Sequence, residues 1–175
     1  MKHSILIAGV SGSGKSEVGR NLKSLGYLVY DIDSTPGLCT MVDKDTKESI
    51  VYDNDNDLEK IEKMLWLCNL RSLENMIKNQ IHEIAFYCGA PNNVVDMISF
   101  FDISILLVAS KENIRSRLIS RKDNGFGKST EVQNYILEQK ESIEKDMREK
   151  GSLCVDADQD IEKVIADILK IIRKK

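Results

Sequence analysis

A glycine-rich segment near the start of the sequence has the residue types that bind phosphate. It reads Gly9-Val10-Ser11-Gly12-Ser13-Gly14-Lys15-Ser16 and matches the pattern G-x-x-x-x-G-K-[ST]. Glycines let successive backbone N–H groups turn around phosphate oxygens, and the N-terminus of a following helix adds partial positive charge. Lys15 is predicted to meet the β- and γ-phosphates, and Ser16 to ligate Mg²⁺. We therefore assign residues 9–17, through Glu17, to a nucleoside triphosphate.

Two carboxylates follow the second predicted strand. Asp31 and Asp33 stand at alternate positions, so their side chains point to the same side of an extended chain. Ligands bind at the carboxyl ends of parallel strands. One carboxylate is suited to hold a water of the magnesium shell, and the other to accept a proton from an attacking hydroxyl. The alternative is that the pair belongs to a solvated loop.

Three arginines flank the polar segment 121–130, two of them in the predicted helix 111–120 and the third directly after it. Arg117 and Arg121 are four residues apart and share a helical face. A guanidinium pairs with phosphate oxygens and offsets the charge of a transferring phosphoryl group. Arg115 is offset from both, and an exposed face balanced by acids suits it better. The polar segment 121–130, with two glycines, is a candidate lid that would exclude water, or a plain flexible loop.

The elements that position these residues alternate along the chain. Apolar runs predict strands at 4–8, 27–32, 83–88, 103–109 and 153–155. Helical periodicity predicts helices at 14–25, 58–80 (one long helix or two), 111–120, 131–150 and 160–173. Residues 35–57 are expected to be loop. This alternation predicts parallel strands with right-handed crossovers and helices on both faces of one sheet.

Composition limits the classes of protein that remain. The 175 residues, 42% of them hydrophobic, suit one domain over 1–175. The net charge of -3 gives no long-range positive field for nucleic acid or anionic lipid. No apolar stretch approaches the roughly 20 residues of a membrane span, and glycines interrupt the first apolar run too early for a signal peptide, so we expect a cytoplasmic protein. The four scattered cysteines are expected to be reduced.

The stretch 5–33 resembles the shikimate kinase and gluconate kinase group of small P-loop kinases. GVSGSGKS is similar to the loop of gluconate kinases, and GKSEVGRNLKSLGY followed by DID resembles shikimate kinases. RSRLISR, at 115–121, resembles the lid arginines of small-molecule kinases. Two departures stand out: Glu17 occupies the place of a second Ser or Thr, and Cys88-Gly89-Ala90-Pro91 replaces a triple glycine, which speaks against shikimate itself.

The resemblance implies a fold of the nucleoside monophosphate and shikimate kinase type: an α/β three-layer sandwich whose five-stranded parallel sheet has the order 2-3-1-4-5. It implies an ATP-dependent kinase that transfers the γ-phosphoryl group to a hydroxyl or phosphate acceptor. Lys15 would bind phosphate, Ser16 and Asp31 would serve Mg²⁺, and Asp33 would contact the acceptor hydroxyl, as base. Arg71 would bind substrate, because kinases of this shape often carry an arginine there.

The expected ligands are thus ATP, Mg²⁺ and a small-molecule acceptor, with the chain a monomer or weak homodimer. Two alternatives stay open: a nucleotide or nucleoside kinase, and a regulatory P-loop NTPase with slow hydrolysis. ATP is favoured over GTP because no N/T-K-x-D run follows the fourth strand. Trp66 is interpreted as a core or helix-interface residue, and Asn92 and Asn93 as turn residues.

Overall fold

A computed structural model describes residues 2–51, 56–122 and 125–174. Strands and helices alternate in it. The strands are β1 (His3–Ala8), β2 (Leu28–Asp31), β3 (Cys39–Asp43), β4 (Met64–Cys68), β5 (Ile84–Cys88), β6 (Ile103–Val108) and β7 (Leu153–Asp156). The helices are α1 (Lys15–Ser24), α2 (Leu58–Glu62), α3 (Leu70–Lys78), α4 (Val94–Met97), α5 (Lys111–Ser120), α6 (Thr130–Glu149) and α7 (Ile161–Ile172), and Ile98–Phe100 forms a 3₁₀ turn after α4.

Five strands form a parallel sheet in the order β2-β5-β1-β6-β7. Counted along the chain without β3 and β4, this is the predicted order 2-3-1-4-5, which is confirmed. Ile5 at the centre of β1 pairs with Phe86 of β5 on one side and Ile103 of β6 on the other. Because all three strands run the same way, their carboxyl ends meet at one edge, where β1 passes into the glycine-rich loop.

Both faces of the sheet are covered. Ile5 and Ile7 of β1 belong to a buried cluster with Val18 and Leu22 of α1. Leu6 lies in a second cluster, on the opposite face, with residues of α3 and α4 such as Leu73. Successive side chains of a strand point to opposite faces, so one short strand supplies both cores. This gives the three layers expected of an α/β sandwich.

The prediction for residues 35–80 was wrong where β3 and β4 form. The two strands make an antiparallel pair, from Cys39 opposite Cys68 to Asp43 opposite Met64, in place of part of the loop and the middle of the helical stretch. The run 64–68 (MLWLC) is apolar at every position, so it matches the helical period and the strand period equally well. Only the pairing with β3, 21 or more residues earlier in the chain, decides between them.

Asn92 and Asn93 fix β4 against the turn after β5. Trp66 N donates to Asn92 Oδ1 at 2.7 Å, and Cys68 N donates to Asn93 Oδ1 at 2.9 Å. In return Asn93 Nδ2 donates to Cys68 O at 2.9 Å. The two side chains thus act as an extension of the sheet, since they satisfy the outer backbone groups of β4. The second sheet is thereby held at the carboxyl edge of the first.

The longest helix, α6, lies against both cores. Val132 and Ile136 join the first buried cluster, and Met147 joins the second. Its N-terminus is capped by Ser129, whose hydroxyl accepts from Val132 N. Within the described part of the chain, no helix has the length and apolar character needed to cross a bilayer. The four cysteines are free thiols, as the sequence suggested.

Candidate active site

The glycine-rich loop connects β1 to α1 in a conformation that needs its glycines. Gly12 and Gly14 have φ of 84° and 102°, in the left-handed region that side chains disfavour. A Cβ on Gly9 would come within 2.8 Å of Leu107 O on β6. Ser13 N donates to Val10 O at 3.0 Å and closes the turn. The loop therefore packs tightly against β6 at Gly9, and it leads directly into the N-terminus of α1.

The ammonium group of Lys15 is held against this loop. Its Nζ donates to Gly9 O at 2.5 Å and to Val10 O at 3.1 Å. Burial lowers the pKa of Lys15, and the nearby charge of Asp33 opposes that shift. A cation with few neutralising neighbours, next to a loop rich in backbone donors, is a strong attractor for phosphate.

Asp33 is positioned by two hydrogen bonds from separate elements. Trp66 Nε1 of β4 donates to Oδ1 at 3.0 Å, and Ala90 N, just after β5, donates to Oδ2 at 3.2 Å. Burial raises the pKa of Asp33, against the opposing effects of Lys15 and of these two bonds. The close approach depends on Gly89, where a Cβ would lie only 2.7 Å from Ile32 Cβ.

Asp31 has a different environment, although it stands only two residues away. It is exposed at the end of β2, and its carboxylate accepts from Ser34 N at 3.1 Å and Ser34 Oγ at 3.0 Å. Ser16, at the start of α1, is also exposed. Hydroxyl and carboxylate oxygens suit Mg²⁺, which keeps several waters and takes few protein ligands. In keeping with this, the described residues contain no cluster of three or more His, Cys, Asp or Glu that would hold a metal alone.

Two of the three arginines of α5 and its C-terminus contact the glycine-rich loop. Arg117 NH1 donates to Ser13 O at 3.3 Å, and its NH2 donates to Ala157 O at 2.6 Å. Arg121 NH1 donates to Ser11 Oγ at 3.1 Å, and its NH2 donates to Phe126 O. Arg115 instead bonds the side chains of Gln133 and Asn134 on α6, away from the loop. The first two arginines thus lie against the loop, and their contact with phosphate stays a prediction.

Two cavities open on the glycine-rich loop. The smaller, of about 220 Å³, lies between the loop, α1 and the start of α7. Its lining is Ser13, Gly14, Glu17, Val18, Arg117, Ala157, Gln159, Ile161 and Val164. The larger, of about 480 Å³, includes Val10, Ser11 and Lys15 of the loop and α1, and Asp33 after β2. We call the smaller one the nucleotide cavity and the larger one the acceptor cleft. The glycine-rich loop contributes residues to both, and Lys15 lines the larger.

Arg71 is not brought to either cavity. It is exposed on α3 and is absent from both linings. It does lie on the helix before the third strand of the main sheet, where the sequence placed it, but at an exposed position. The assignment of Arg71 to substrate binding stays a prediction without support from its position.

The candidate lid at 121–130 includes residues 123 and 124, which lie outside the described residues. The rest of the segment is tied to residue 56. Asn56 Nδ2 donates to Gly125 O at 2.8 Å, and its Oδ1 accepts from Lys128 N at 2.7 Å and Ser129 N at 3.0 Å. Lys128 Nζ donates to Ile119 O at 2.8 Å. Phe126 from this segment lines the acceptor cleft.

Sequence reasoning missed the far side of the acceptor cleft. Trp66 was placed in the core or a helix interface, but it is half-buried on β4 and orients Asp33. Tyr135 and Gln139 of α6 line the cleft and were not singled out. A weak signal existed for Trp66 alone, because an indole N–H in an apolar setting requires an acceptor. No local sequence pattern identifies Tyr135 and Gln139 as cleft residues.

A five-stranded parallel sheet in this order, with a glycine-rich phosphate loop between its central strand and the next helix, defines an α/β P-loop protein of the nucleoside monophosphate and shikimate kinase fold class. A family model described as AAA domain matches residues 5–144, and the chain belongs to this family. No curated protein matches the chain in sequence.

Solved structures of small kinases share the whole fold. Shikimate kinase from Acinetobacter baumannii in complex with shikimate aligns with a TM-score of 0.66 at 15% identity, over 99% of this chain and 94% of that one. Deoxyadenosine kinase from M. mycoides with bound dATP gives 0.60 at 18%, over 97% and 99%. A gluconokinase from Sinorhizobium meliloti 1021 gives 0.55 at 18%, over 94% and 87%. These likenesses establish the fold of the group that the sequence resembled.

Proposed function

We propose that this protein is an ATP-dependent phosphotransferase that moves the γ-phosphoryl group of ATP to a hydroxyl of a small molecule. The observation that carries the proposal is the acceptor cleft. It meets the phosphate loop at Lys15 and contains a half-buried, oriented carboxylate, Asp33. A protein that only binds or slowly hydrolyses ATP has no need of a second cavity of this size beside the γ-phosphate position. The names of its relatives in fold, kinases of three substrate types, support the same reaction class.

The phosphates of ATP are assigned to residues 9–17. The backbone N–H groups of the loop and Lys15 would bind them, and Arg117 would add charge on the side of the nucleotide cavity, where it already links Ser13 to Ala157. The adenosine part would occupy the cavity between α1 and α7. Arg121, bonded to Ser11 Oγ, borders the opposite side of the loop. We assign the two arginines to stabilising charge on the transferring group.

Ser16 and Asp31 would hold Mg²⁺ bound with the nucleotide, Ser16 through its hydroxyl and Asp31 through a water. Such an ion supplies charge neutralisation to the phosphate oxygens. Both side chains are exposed at the carboxyl edge of the sheet, where ion and nucleotide have access to them.

Asp33 is assigned to the acceptor hydroxyl. In the proposed step the hydroxyl oxygen forms a bond to the γ-phosphorus, the bond from that phosphorus to ADP breaks, and the hydroxyl proton passes to Asp33. A base works best when its pKa lies near the working pH, and burial moves the pKa of Asp33 in that direction. The bonds from Trp66 and Ala90 fix the carboxylate, so little reorganisation accompanies proton transfer.

The test measures ADP release from ATP and Mg²⁺ with a panel of acceptors and with none. We expect acceptor-stimulated release in the wild type. Lys15→Met should abolish it. Asp33→Asn should lower turnover by about 100-fold or more, the usual contribution of a general base, with ATP affinity changed by less than about threefold. Arg115→Ala, an arginine of the same helix bonded only to α6, serves as the matched control with normal turnover.

Acceptor-independent slow release with tight nucleotide binding would overturn the proposal and favour the regulatory NTPase. Normal turnover in Asp33→Asn would leave the kinase standing and remove Asp33 from its role as base. The same assay of ADP release gives both results.

A further inference from the structure

We propose that the acceptor is an electrically neutral, ring-bearing alcohol of about the size of a nucleoside, and not a carboxylic acid or a phosphate ester. This inference rests on the proposed function, because it names the acceptor class for the same reaction. It is drawn from the charge, the wall and the polar groups of the acceptor cleft.

The charges around the cleft disfavour an anionic acceptor. Of its seventeen lining residues, Lys15 and Asp33 are the charged ones. Lys15 is engaged by the phosphates of ATP in the proposed reaction, which leaves the carboxylate. Asp31 and Glu62 also act electrostatically on cleft residues, and Arg121 acts on Lys15 with the opposite sign. In the proposed reaction Mg²⁺ engages Asp31 and the transferring phosphoryl group engages Arg121, which leaves Asp33 and Glu62 to face the acceptor. An anionic acceptor would therefore meet net negative charge.

Among the described residues, no arginine or further lysine lines the cleft to reverse this balance. Arg117 bonds Ser13 and Ala157 outside the cleft, and Arg71 is exposed on α3. Arg121 is not part of the lining, although it bonds two lining residues, Ser11 and Phe126. A site that accepts a carboxylate or phosphate normally offers a guanidinium or ammonium to it. The described lining of this cleft offers none once ATP is bound.

The wall of the cleft is apolar and aromatic. β3 and β4 contribute Met41, Met64 and Trp66, while Phe126, Tyr135 and Ile143 form the opposite side. A hydrated anionic group placed here would lose its water without a charged partner. A flat ring would instead bury its faces against the indole, the phenyl ring and the thioethers. The volume of about 480 Å³ is in the range of small-molecule sites.

Two neutral polar side chains of the cleft indicate which polar groups the acceptor ring has. Tyr135 and Gln139 are four residues apart on α6 and share one helical face, which borders the cleft. Tyr135 is half-buried and Gln139 is exposed, and within the described residues neither side chain has a hydrogen-bond partner in the protein, so both can bond a ligand in place of water. An amide offers a donor and an acceptor side by side, and a phenol offers one of each. They match neutral heteroatoms on a ring.

The experiment compares acceptors that share a ring and differ in charge. Wild-type protein with ATP and Mg²⁺ is tested against nucleosides, each paired with its own 5′-monophosphate, against benzyl-type alcohols, and against shikimate and gluconate. ADP release gives kcat/KM, and mass spectrometry identifies the phosphorylated product. We expect a neutral compound to be phosphorylated with kcat/KM at least about 100-fold above its charged counterpart, because the unpaired anion is disfavoured in the cleft.

Variants of α6 localise the effect. Tyr135→Phe and Gln139→Leu should each raise the KM of the neutral acceptor about tenfold, the effect of one lost hydrogen bond, without changing the KM of ATP. Glu138→Ala removes an exposed side chain of the same helix that does not line the cleft, and serves as the matched control.

The outcomes separate the inference from the function beneath it. Efficient transfer to shikimate, gluconate or a nucleoside monophosphate, with none to neutral compounds, overturns the inference and keeps the kinase. Failure of every acceptor, charged or neutral, to stimulate ADP release overturns both. Unchanged acceptor KM in both α6 variants overturns the placement of the ring against α6.

Discussion

At Asp33 the fold and the proposed chemistry favour opposite states of one carboxyl group. Burial raises its pKa, so folding shifts this carboxyl toward its protonated form relative to the unfolded chain, while a base must be ionised. A group whose pKa is raised by folding contributes stability that is fully present below its unfolded pKa and is lost as pH rises through its folded pKa. At neutral pH the ionised Asp33 therefore lowers the free energy of unfolding.

Asp33→Asn should consequently raise Tm at pH 7 while it removes activity. The amide oxygen can still accept from the Trp66 indole, although the bond from Ala90 N is lost. Thermal unfolding of wild type and variant between pH 3 and pH 8 is the measurement. The difference in Tm should be largest at neutral pH and shrink toward acid, where Asp33 itself is protonated. A variant less stable than wild type at pH 7 would contradict this account of the site.

Arg117 offers a second test on the scale of a residue. Its guanidinium bonds Ser13 O and Ala157 O, at the two ends of the nucleotide cavity. Arg117→Ala should weaken ATP binding about tenfold or more, since a hydrogen bond to a charged group contributes roughly 1.5–3 kcal/mol. Calorimetric titration of ATP measures the change in Kd. Arg115→Ala is the control: equal weakening in both variants would mean that α5 acts only as a whole.

Positions at this scale were predictable from sequence where the residues are close together in the chain. The motif at residues 9–16 placed Lys15 and Ser16, and the D-x-D run placed two carboxylates at the carboxyl edge of the sheet. The difference between those carboxylates was not predictable. It depends on Trp66 and Ala90, which lie 33 and 57 residues beyond Asp33.

At the scale of elements, the five strands of the main sheet were predictable because each is an apolar run bounded by turn residues. β4 was not, because its residues fit both periods and its partner β3 is short and only partly apolar. The identity of such a segment is decided by pairing across the fold, which local periodicity does not contain. Because 58–80 was predicted as helix, Trp66 was not recognised as a residue of the cleft.

Two glycines next to the site allow the packing of elements to be tested. Gly89 follows β5, and a Cβ there would lie 2.7 Å from Ile32 Cβ. Gly89→Ala should cost about 1–3 kcal/mol of stability through overpacking and lower turnover by displacing Ala90 N from Asp33. Gly19 lies inside α1, where a Cβ would make an ordinary contact at 3.4 Å with Val29 Cγ1.

Gly19→Ala is therefore the matched control and should stabilise the protein by up to about 1 kcal/mol, because Ala is the better helix former. Urea unfolding of both variants gives the two free energies. If Gly89→Ala were as stable and active as wild type, the close approach of β5 to the end of β2 would not be what positions Asp33.

At the scale of the whole molecule, the acceptor cleft has three independent walls. The segments that follow β1 and β2 supply Lys15 and Asp33, the second sheet supplies Trp66, and α6 supplies Tyr135 and Gln139. The core that unites the main sheet and its helices follows from patterns that sequence alone displays. The cleft does not, since each wall comes from a different part of the chain. The phosphate-binding motif can thus be recognised in the sequence, whereas the residues proposed to select the acceptor come together only in the folded protein.

The single tryptophan of the chain makes this assembly measurable. Trp66 is half-buried in the acceptor cleft and does not line the nucleotide cavity. An acceptor that packs against the indole should therefore change the intrinsic fluorescence by displacing water from it, whereas a non-hydrolysable ATP analogue alone should change it much less. Titration of a neutral acceptor and of the analogue, separately and together, is the measurement. If calorimetry detected acceptor binding with no change in emission, the acceptor would bind away from the second sheet, and the three walls would not form one site.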